Sequence, residues 1–400
     1  MHTVEMGDLP VGDDHPPRVM GVLNVSRESP YDPSVFDDPE AAAAYVDDAL
    51  IDEGADVVDV GLESANKRLD VLSPEQERDR LDVAVETIDR VAGEAVFSIE
   101  TRYAEVADEA LSRGFDIVND ICGFADPEMP AVAEAHDAAV VKMASPPDLE
   151  RPGAVDDVDW AAERSPEWAA NATYVDKLYA ALERGGLTDR TVVDPAFGGW
   201  SEAKTLADDR ETFERLREFR ALERPILVSI NRKNFLKEVV DRDTEGALPA
   251  SLAATAMAVE RGAHVVRTHD VAETRDAVAI GRAFARDRVR TATVEELDVT
   301  TGRELARHVE RVGGDPTDAD TVGRAIAVQG LSPGERDVVV DAADGAGVEV
   351  VGVDRLVLFG SVDAFAALAD ALGGADGVSK PTARGLLDLV NNDKTYANKG

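Results

Sequence analysis

Eight short runs rich in β-branched and aliphatic residues, each followed by a longer amphipathic stretch, constrain this chain more than any other feature. The runs fall at 18–25 (RVMGVLNV), 55–62 (ADVVDVGL), 95–101 (AVFSIET), 117–123 (IVNDICG), 138–144 (AAVVKMA), 191–197 (TVVDPAF), 225–231 (PILVSIN) and 264–270 (HVVRTHD). Helical periodicity occupies 39–53, 74–92, 103–113, 127–136, 170–185, 209–221 and 249–261 between them. Strands covered on both faces read as near-continuous apolar runs, and parallel strands need crossover helices. Eight such units over about 270 residues match the arithmetic of a (β/α)₈ TIM barrel. A doubly wound open sheet is the alternative, but no GxGxxG follows the first run.

The linkers DEGAD (52–56), SRGFD (112–116) and ERGAH (260–264) each put a glycine between a helix and the next strand. A glycine there ends a helix in the left-handed conformation at little cost. Beyond about residue 290 the pattern changes. A strand (TVEELDV), a helix over 302–312, a GGDPTDAD turn, and a helix and strand over 321–329 come first. A helix over 332–346, strands over 348–359 and a helix over 362–372 follow. The expected organisation is a polar N-terminal tail (1–15), the α/β barrel (16–288), a small α/β domain (289–375) and a C-terminal tail (376–400). Gly360 and Ser361 sit at a strand-to-helix junction, where the ordinary role is an N-cap.

Asp and Glu number 80 against 42 Lys and Arg, a formal net charge of −38 spread along almost the whole chain. Such a chain repels itself at low ionic strength and is relieved by salt, so adaptation to molar salt is expected. The same charge argues against nucleic acid and anionic membrane surfaces as partners. No run approaches the ~20 apolar residues of a membrane span, and the N-terminus lacks a signal pattern, so a cytoplasmic location is expected. Cys122 is the only cysteine and the 6 histidines are scattered, which leaves no Cys-based zinc site and no paired-His motif. Cys122 is expected to be a packed core thiol.

Ligand sites of such barrels lie at the C-terminal ends of the strands. Those positions here are Asn24, Glu63, Glu100, Asn119 with Asp120, Asp194, Lys233, and Arg267 with His269, together with Met143 and Phe197. Polar groups gathered at one barrel mouth suit a flat, amide-rich heterocycle. Asn119 and Asp194 would read its hydrogen-bonding edge, Lys233 would donate, and Met143 and Phe197 would wall it. Each residue also has an ordinary reading: Asn119 and Asp120 as turn residues, Asp194 as a turn start before Pro195, Arg267 with Asp270 as a surface ion pair, His269 as a structural histidine.

Seven blocks carry a resemblance. MGVLNVS, GADVVDVGLES, FSIET, DIVNDICG, VVDPAFG, INRKNF and the run ending in RTHD occur in order across 18–280. Together they resemble the dihydropteroate synthase family. The resemblance implies a pterin-binding barrel that joins 6-hydroxymethyl-7,8-dihydropterin diphosphate to p-aminobenzoate and releases pyrophosphate, with Mg²⁺ as cofactor and a homodimer as the common assembly. By matched position, Asn24 would help hold Mg²⁺ with the diphosphate. Glu100, Asn119, Met143, Asp194 and Lys233 would surround the pterin, and Arg267 and His269 would form the diphosphate site. Lys233, Arg267, His269 and Asp194 are thus the expected catalytic set. The RKNF and RTHD blocks argue against a pterin-dependent methyltransferase of the same superfamily.

Departures from the family pattern cluster in the loops. SRESPYDPS, with Arg27 and Pro30, stands where the family has TPDSFSDGG, and ESANKR puts Ala65 and Asn66 where Thr and Arg are usual. Lys67 or Arg68 would supply a cation from a shifted position. Glu100 replaces an Asp, AFGGW alters the glycine-rich turn, Asn234 replaces a Ser, and KMASPPD lacks a His after Met143. The pterin end is therefore expected to be kept and the second-substrate end rewritten, with a binding paralogue lacking turnover as the competing outcome.

Overall fold

The computed structural model describes residues 2–26, 32–64, 70–146, 158–198, 203–286, 288, 296–315, 322–353 and 355–373. Arg27, Pro30, Ala65, Asn66, Lys67, Arg68, Trp200, residues 291–295 and the tail 376–400 lie outside the described residues. The chain forms two compact units, Met1–Asp287 and Arg288–Gly400.

In the first unit, β1 (Val4–Met6) and β2 (Leu9–Val11) form an antiparallel hairpin. Then come β3 (Arg18–Asn24), β4 (Val57–Gly61), β5 (Val96–Glu100), β6 (Ile117–Asp120), β7 (Ala139–Met143), β8 (Thr191–Asp194), β9 (Ile226–Val228) and β10 (Ala263–Thr268). These eight close a barrel in the order β10-β3-β4-β5-β6-β7-β8-β9. With helices between the strands, this is the (β/α)₈ TIM barrel expected from the alternating runs.

The two-residue period of a strand divides each barrel strand between two environments. Val58, Val60, Ile99, Val118, Val140, Val193 and Val266 join the large outer core against the helices. Met20, Val57, Ile117, Ala139, Val141, Val192, Leu227 and Val265 form a separate inner cluster. Val4, Met6 and Val11 are buried in that inner cluster, so the hairpin plugs the barrel from the N-terminal side.

This corrects the expectation of a polar tail over 1–15. VEM-GD-LPV alternates apolar and polar residues around a Gly-Asp turn, which is hairpin grammar. Farther along the same segment, Arg220 Nη2 donates to both carboxylate oxygens of buried Asp13 at 2.8 Å, and His264 Nε2 lies 3.2 Å from Oδ1.

Several helices start at side-chain caps, including capping boxes at Ser73, Thr173 and Thr205. The linker glycines Gly54, Gly114 and Gly262 have φ of +100°, +106° and +103°, as the repeated linker predicts. Some boundaries differ from expectation. The stretch 209–221 is an α-helix over Leu206–Glu214 followed by a 3₁₀ segment over Leu216–Leu222, and the seventh barrel strand shortens to Ile226–Val228.

The second unit contains β11 (Gly323–Gln329), β12 (Glu349–Val351) and β13 (Arg355–Ser361) in an antiparallel sheet of order β11-β13-β12. Helices Pro333–Ala346 and Val362–Gly373 build its core with Leu356 and Leu358. Ser361 Oγ accepts from Ala364 N at 3.1 Å, the N-cap expected there. Over 322–329 the described residues form strand alone, without the helix expected before it.

Candidate active site

The alternation that fills the barrel floor also builds its mouth. Continuing each inward series toward the C-terminal end replaces apolar residues with polar ones. Val57 is followed two residues later by Asp59, Val96 by Ser98 and Glu100, Ile117 by Asn119, Val192 by Asp194, and Val265 by Arg267. Asp59, Ser98, Asn119 and Asp194 are all buried. Burial without partners costs about 1–3 kcal/mol per group, so the hydrogen bonds that Asp59, Ser98 and Asn119 make to one another, and that Ala196 N makes to Asp194, are what make the layer tolerable.

Asp59 is the hub. Ser98 Oγ donates to its Oδ1 at 2.7 Å, while Asn119 Nδ2 and Arg267 Nε donate to its Oδ2 at 3.0 and 2.7 Å. Arg267 Nη2 also donates to Glu100 Oε2 at 2.8 Å. Strands β4, β5, β6 and β10 are joined by this network. Burial works against the Arg267 charge, but Asp59 and Glu100 hold its pKa above the ordinary value. Burial raises the Glu100 carboxyl to about 7, with Arg267 pulling it down and Asp59 and Glu63 pushing it up.

Asp194 ends β8 on the other side of the mouth. Burial raises it to about 6, opposed by a 2.7 Å hydrogen bond from Ala196 N and by Lys233, Arg267 and Lys204. Lys233 follows β9, immediately before helix Asn234–Val240. Burial lowers its pKa, and the Arg267 charge adds to that while Asp194 opposes it. Gly198 has a φ of +101°, which favours glycine, and a Cβ there would sit 2.9 Å from Lys233 Nζ and push the lysine tip aside. Met143, half-buried, lies beside Asp194 in register.

His269 is lowered to about 3, by burial first and then by Arg267. Both effects favour the neutral imidazole over the cation when no anion is bound beside it. Asn24 ends β3 and donates through Nδ2 to Ser34 Oγ at 3.0 Å. Its Oδ1 lies 2.8 Å from where a Cβ on Gly61 would stand, so a side chain at 61 would displace it.

Glu100, Asn119, Asp194, Lys233 and Arg267 therefore share one electrostatic neighbourhood, and His269 feels two of its charges. Other strand-end residues go elsewhere. Glu63 is taken by Arg102 Nη1 and by Leu72 N at 2.8 Å, in a buried cluster with Glu77. Asp120 accepts from Cys122 N, Gly123 N and Phe124 N, the ordinary turn role. Asp270 pairs with Arg232 at 2.8 and 2.9 Å, and Arg267 pairs with other carboxylates. Phe197 stacks on Phe235 within the outer core. Cys122 is buried.

Asp59, Ser98, Lys204 and Gly198 escape the sequence reading. The signal for Asp59 was present: a lone carboxylate interrupting the apolar run VVDVG, where unpaired burial would not be tolerated. Lys204 donates to Ala196 O at 2.6 Å and pairs with Asp209, again at 2.6 Å, which brings a second ammonium to the Asp194 turn.

Among the described residues no helix is long and apolar enough to cross a membrane. The family model described as pterin binding enzyme matches residues 20–269. A probable bifunctional folylpolyglutamate synthase/dihydropteroate synthase of Halobacterium salinarum is 37% identical over 265 residues, 66% of this chain and 31% of that protein. The chain thus spans about a third of that relative's length. The dihydropteroate synthase of Bacillus subtilis is 30% identical over 254 residues, covering 63% of this chain and 83% of that protein. A solved dihydropteroate synthase from Coxiella burnetii, in complex with pteroic acid, superposes with a TM-score of 0.56 at 28% identity, covering 70% of this chain and 98% of that one.

Proposed function

Because the chain belongs to the pterin-binding enzyme family, we propose that its barrel is a dihydropteroate synthase. It would condense 6-hydroxymethyl-7,8-dihydropterin diphosphate with p-aminobenzoate or a related arylamine. The observation that supports this most is the convergence of Asn119, Glu100, Asp194, Lys233 and Arg267 at one barrel mouth. A reduced pterin carries N–H donors and ring acceptors along its edge. Carboxylates and an amide oxygen meet the former, and the Lys233 ammonium meets the latter.

In the reaction the arylamine nitrogen forms a bond to the pterin's exocyclic methylene as the C–O bond to diphosphate breaks. The diphosphate leaves with the bonding pair, and the new C–N bond sheds the amine proton to solvent. Charge therefore develops at two places. Glu100 and Asp194, when ionised, stabilise the cation-like pterin. Lys233 and His269 donate hydrogen bonds, and Arg267 presents a guanidinium held in plane by two carboxylates. Positioning the arylamine in line supplies much of the remaining acceleration.

Among the described residues no three His, Cys, Asp or Glu side chains gather into a metal cage. Asn24 Oδ1 is nonetheless an oxygen donor of the type Mg²⁺ accepts, and that ion is usually held by one or two protein groups plus substrate phosphates. Asn24 is thus the residue that would hold it, and the bound ion would neutralise charge on the departing diphosphate. A homodimer and work at molar salt complete the proposal; the net charge of −38 supports the latter.

The test is a product assay in molar KCl with the pterin diphosphate and p-aminobenzoate, read by mass spectrometry. Formation of 7,8-dihydropteroate with equimolar pyrophosphate is expected. Pterin binding without any pyrophosphate release would favour a binding protein and overturn the synthase reading.

A further inference from the structure

Asp59 stands one layer below the rim, with no exposed surface, and takes donors from three other strands: Ser98 on β5, Asn119 on β6 and Arg267 on β10. An ionised carboxylate only accepts hydrogen bonds. The Asn119 amide beside it is therefore oriented with Nδ2 toward Asp59 and Oδ1 away from it. Among the described residues no hydrogen bond to Asn119 Oδ1 is formed. The bond from Arg267 Nε to the same oxygen fixes the guanidinium plane, which places Nη2 against Glu100.

We propose that Asp59 is a positioning residue that makes Asn119 a pure hydrogen-bond acceptor toward the ligand and locks the plane of Arg267, so that the mouth selects a ring edge carrying N–H donors. The inference rests on the pterin-binding reading and adds to it the origin of the amide's direction. Without an acceptor at 59, the Asn119 amide loses the oxygen that holds its Nδ2 and is free to turn over. The turned amide presents an NH₂ group to a ligand N–H, leaving two donors face to face. A role limited to neutralising Arg267 would give no such directionality.

Two variants of the full chain, measured in molar KCl, separate these roles. Asp59→Ala, which removes the accepting oxygen, is expected to weaken binding of 6-hydroxymethyl-7,8-dihydropterin by about tenfold or more by calorimetry, while the KM for p-aminobenzoate moves by less than about threefold. Asp59→Asn removes the charge but keeps an oxygen facing both Arg267 Nε and Asn119 Nδ2. It is expected to keep pterin affinity within about threefold of the unaltered chain. Should Asp59→Ala not fold, Asp59→Asn decides alone, since it changes the charge and leaves the shared acceptor.

Equal pterin affinity in Asp59→Ala and the unaltered chain overturns the positioning role and leaves the site reading intact. An Asp59→Asn variant that folds but binds as weakly as Asp59→Ala also overturns it, in favour of simple charge neutralisation. Absence of pterin binding by the unaltered chain overturns the site reading and the role of Asp59 together.

Discussion

Glu100 Oε2 accepts a hydrogen bond from Arg267 Nη2 at 2.8 Å, across a barrel in which two strands stand between β5 and β10. The extra methylene of Glu, where the resembled family has Asp, sets how far the carboxylate reaches toward the arginine. Burial holds this carboxyl at about 7, so it titrates in the working range. The ionised form accepts N–H bonds from a pterin better than the neutral form does. Dihydropterin affinity is expected to strengthen roughly fivefold as pH rises from about 6 to about 8. Glu100→Gln should bind more weakly, with a flat profile. Calorimetric titrations at several pH values check this, and an unchanged profile in the variant contradicts it.

Gly198 has φ +101° and leaves room for Lys233 Nζ. Gly198→Ala is expected to destabilise the barrel by about 1–3 kcal/mol through the strained backbone. Pushing the ammonium away from Asp194 should also lower kcat/KM by about tenfold or more. Steady-state kinetics together with thermal melts separate the two effects. A fully active, destabilised variant would show that the placement of Lys233 is unimportant.

Asp13 ties the chain after the plug hairpin to the barrel body through Arg220 and His264. Burial alone would raise its pKa, but the His264 and Arg220 partners hold it far below the usual carboxylate range. A depressed carboxyl contributes stability above its unfolded pKa, near 4, and loses that contribution as pH falls toward the folded value. Asp13→Asn leaves Arg220 buried against a neutral group and should destabilise by about 3 kcal/mol at neutral pH. The gap between variant and unaltered chain should narrow below about pH 4. Chemical denaturation at neutral and acidic pH measures both, and a gap that widens in acid would contradict the account.

The barrel was legible because eight apolar runs each fill two faces of a closed sheet, which leaves a pattern no open sheet with a solvent face would leave. The mouth was legible because inward positions at strand ends are polar where the floor is apolar: Asn119 after Ile117, Arg267 after Val265. Partner choice was not legible. Glu63 and Asp194 are both strand-end carboxylates, yet only three-dimensional packing gives Arg102 to one and leaves the other near Lys233. Asp59 was passed over because a single carboxylate inside VVDVG breaks the run without saying which strands will satisfy it. The hairpin over Val4–Val11 was hidden by the surrounding acidic residues, although three well-spaced apolar side chains suffice to plug a barrel floor.

A net charge of −38 on 400 residues sets a self-repulsion that salt screens. The melting temperature is expected to rise by about 10 °C or more between about 0.1 M and about 2 M KCl. Most of the rise should survive replacement of K⁺ by Na⁺, since screening does not distinguish them. Scanning calorimetry across a KCl series tests this. A melting temperature independent of salt would mean that the acidic surface is not an adaptation to it.

The most direct test of the central claim is a structure determined at high salt with 6-hydroxymethyl-7,8-dihydropterin bound. The account predicts the pteridine ring in the barrel mouth, its edge within hydrogen-bonding distance of Asn119 Oδ1, the Asp194 carboxylate and Lys233 Nζ. A ring bound away from those three groups, with the Asp59 network undisturbed, would contradict it.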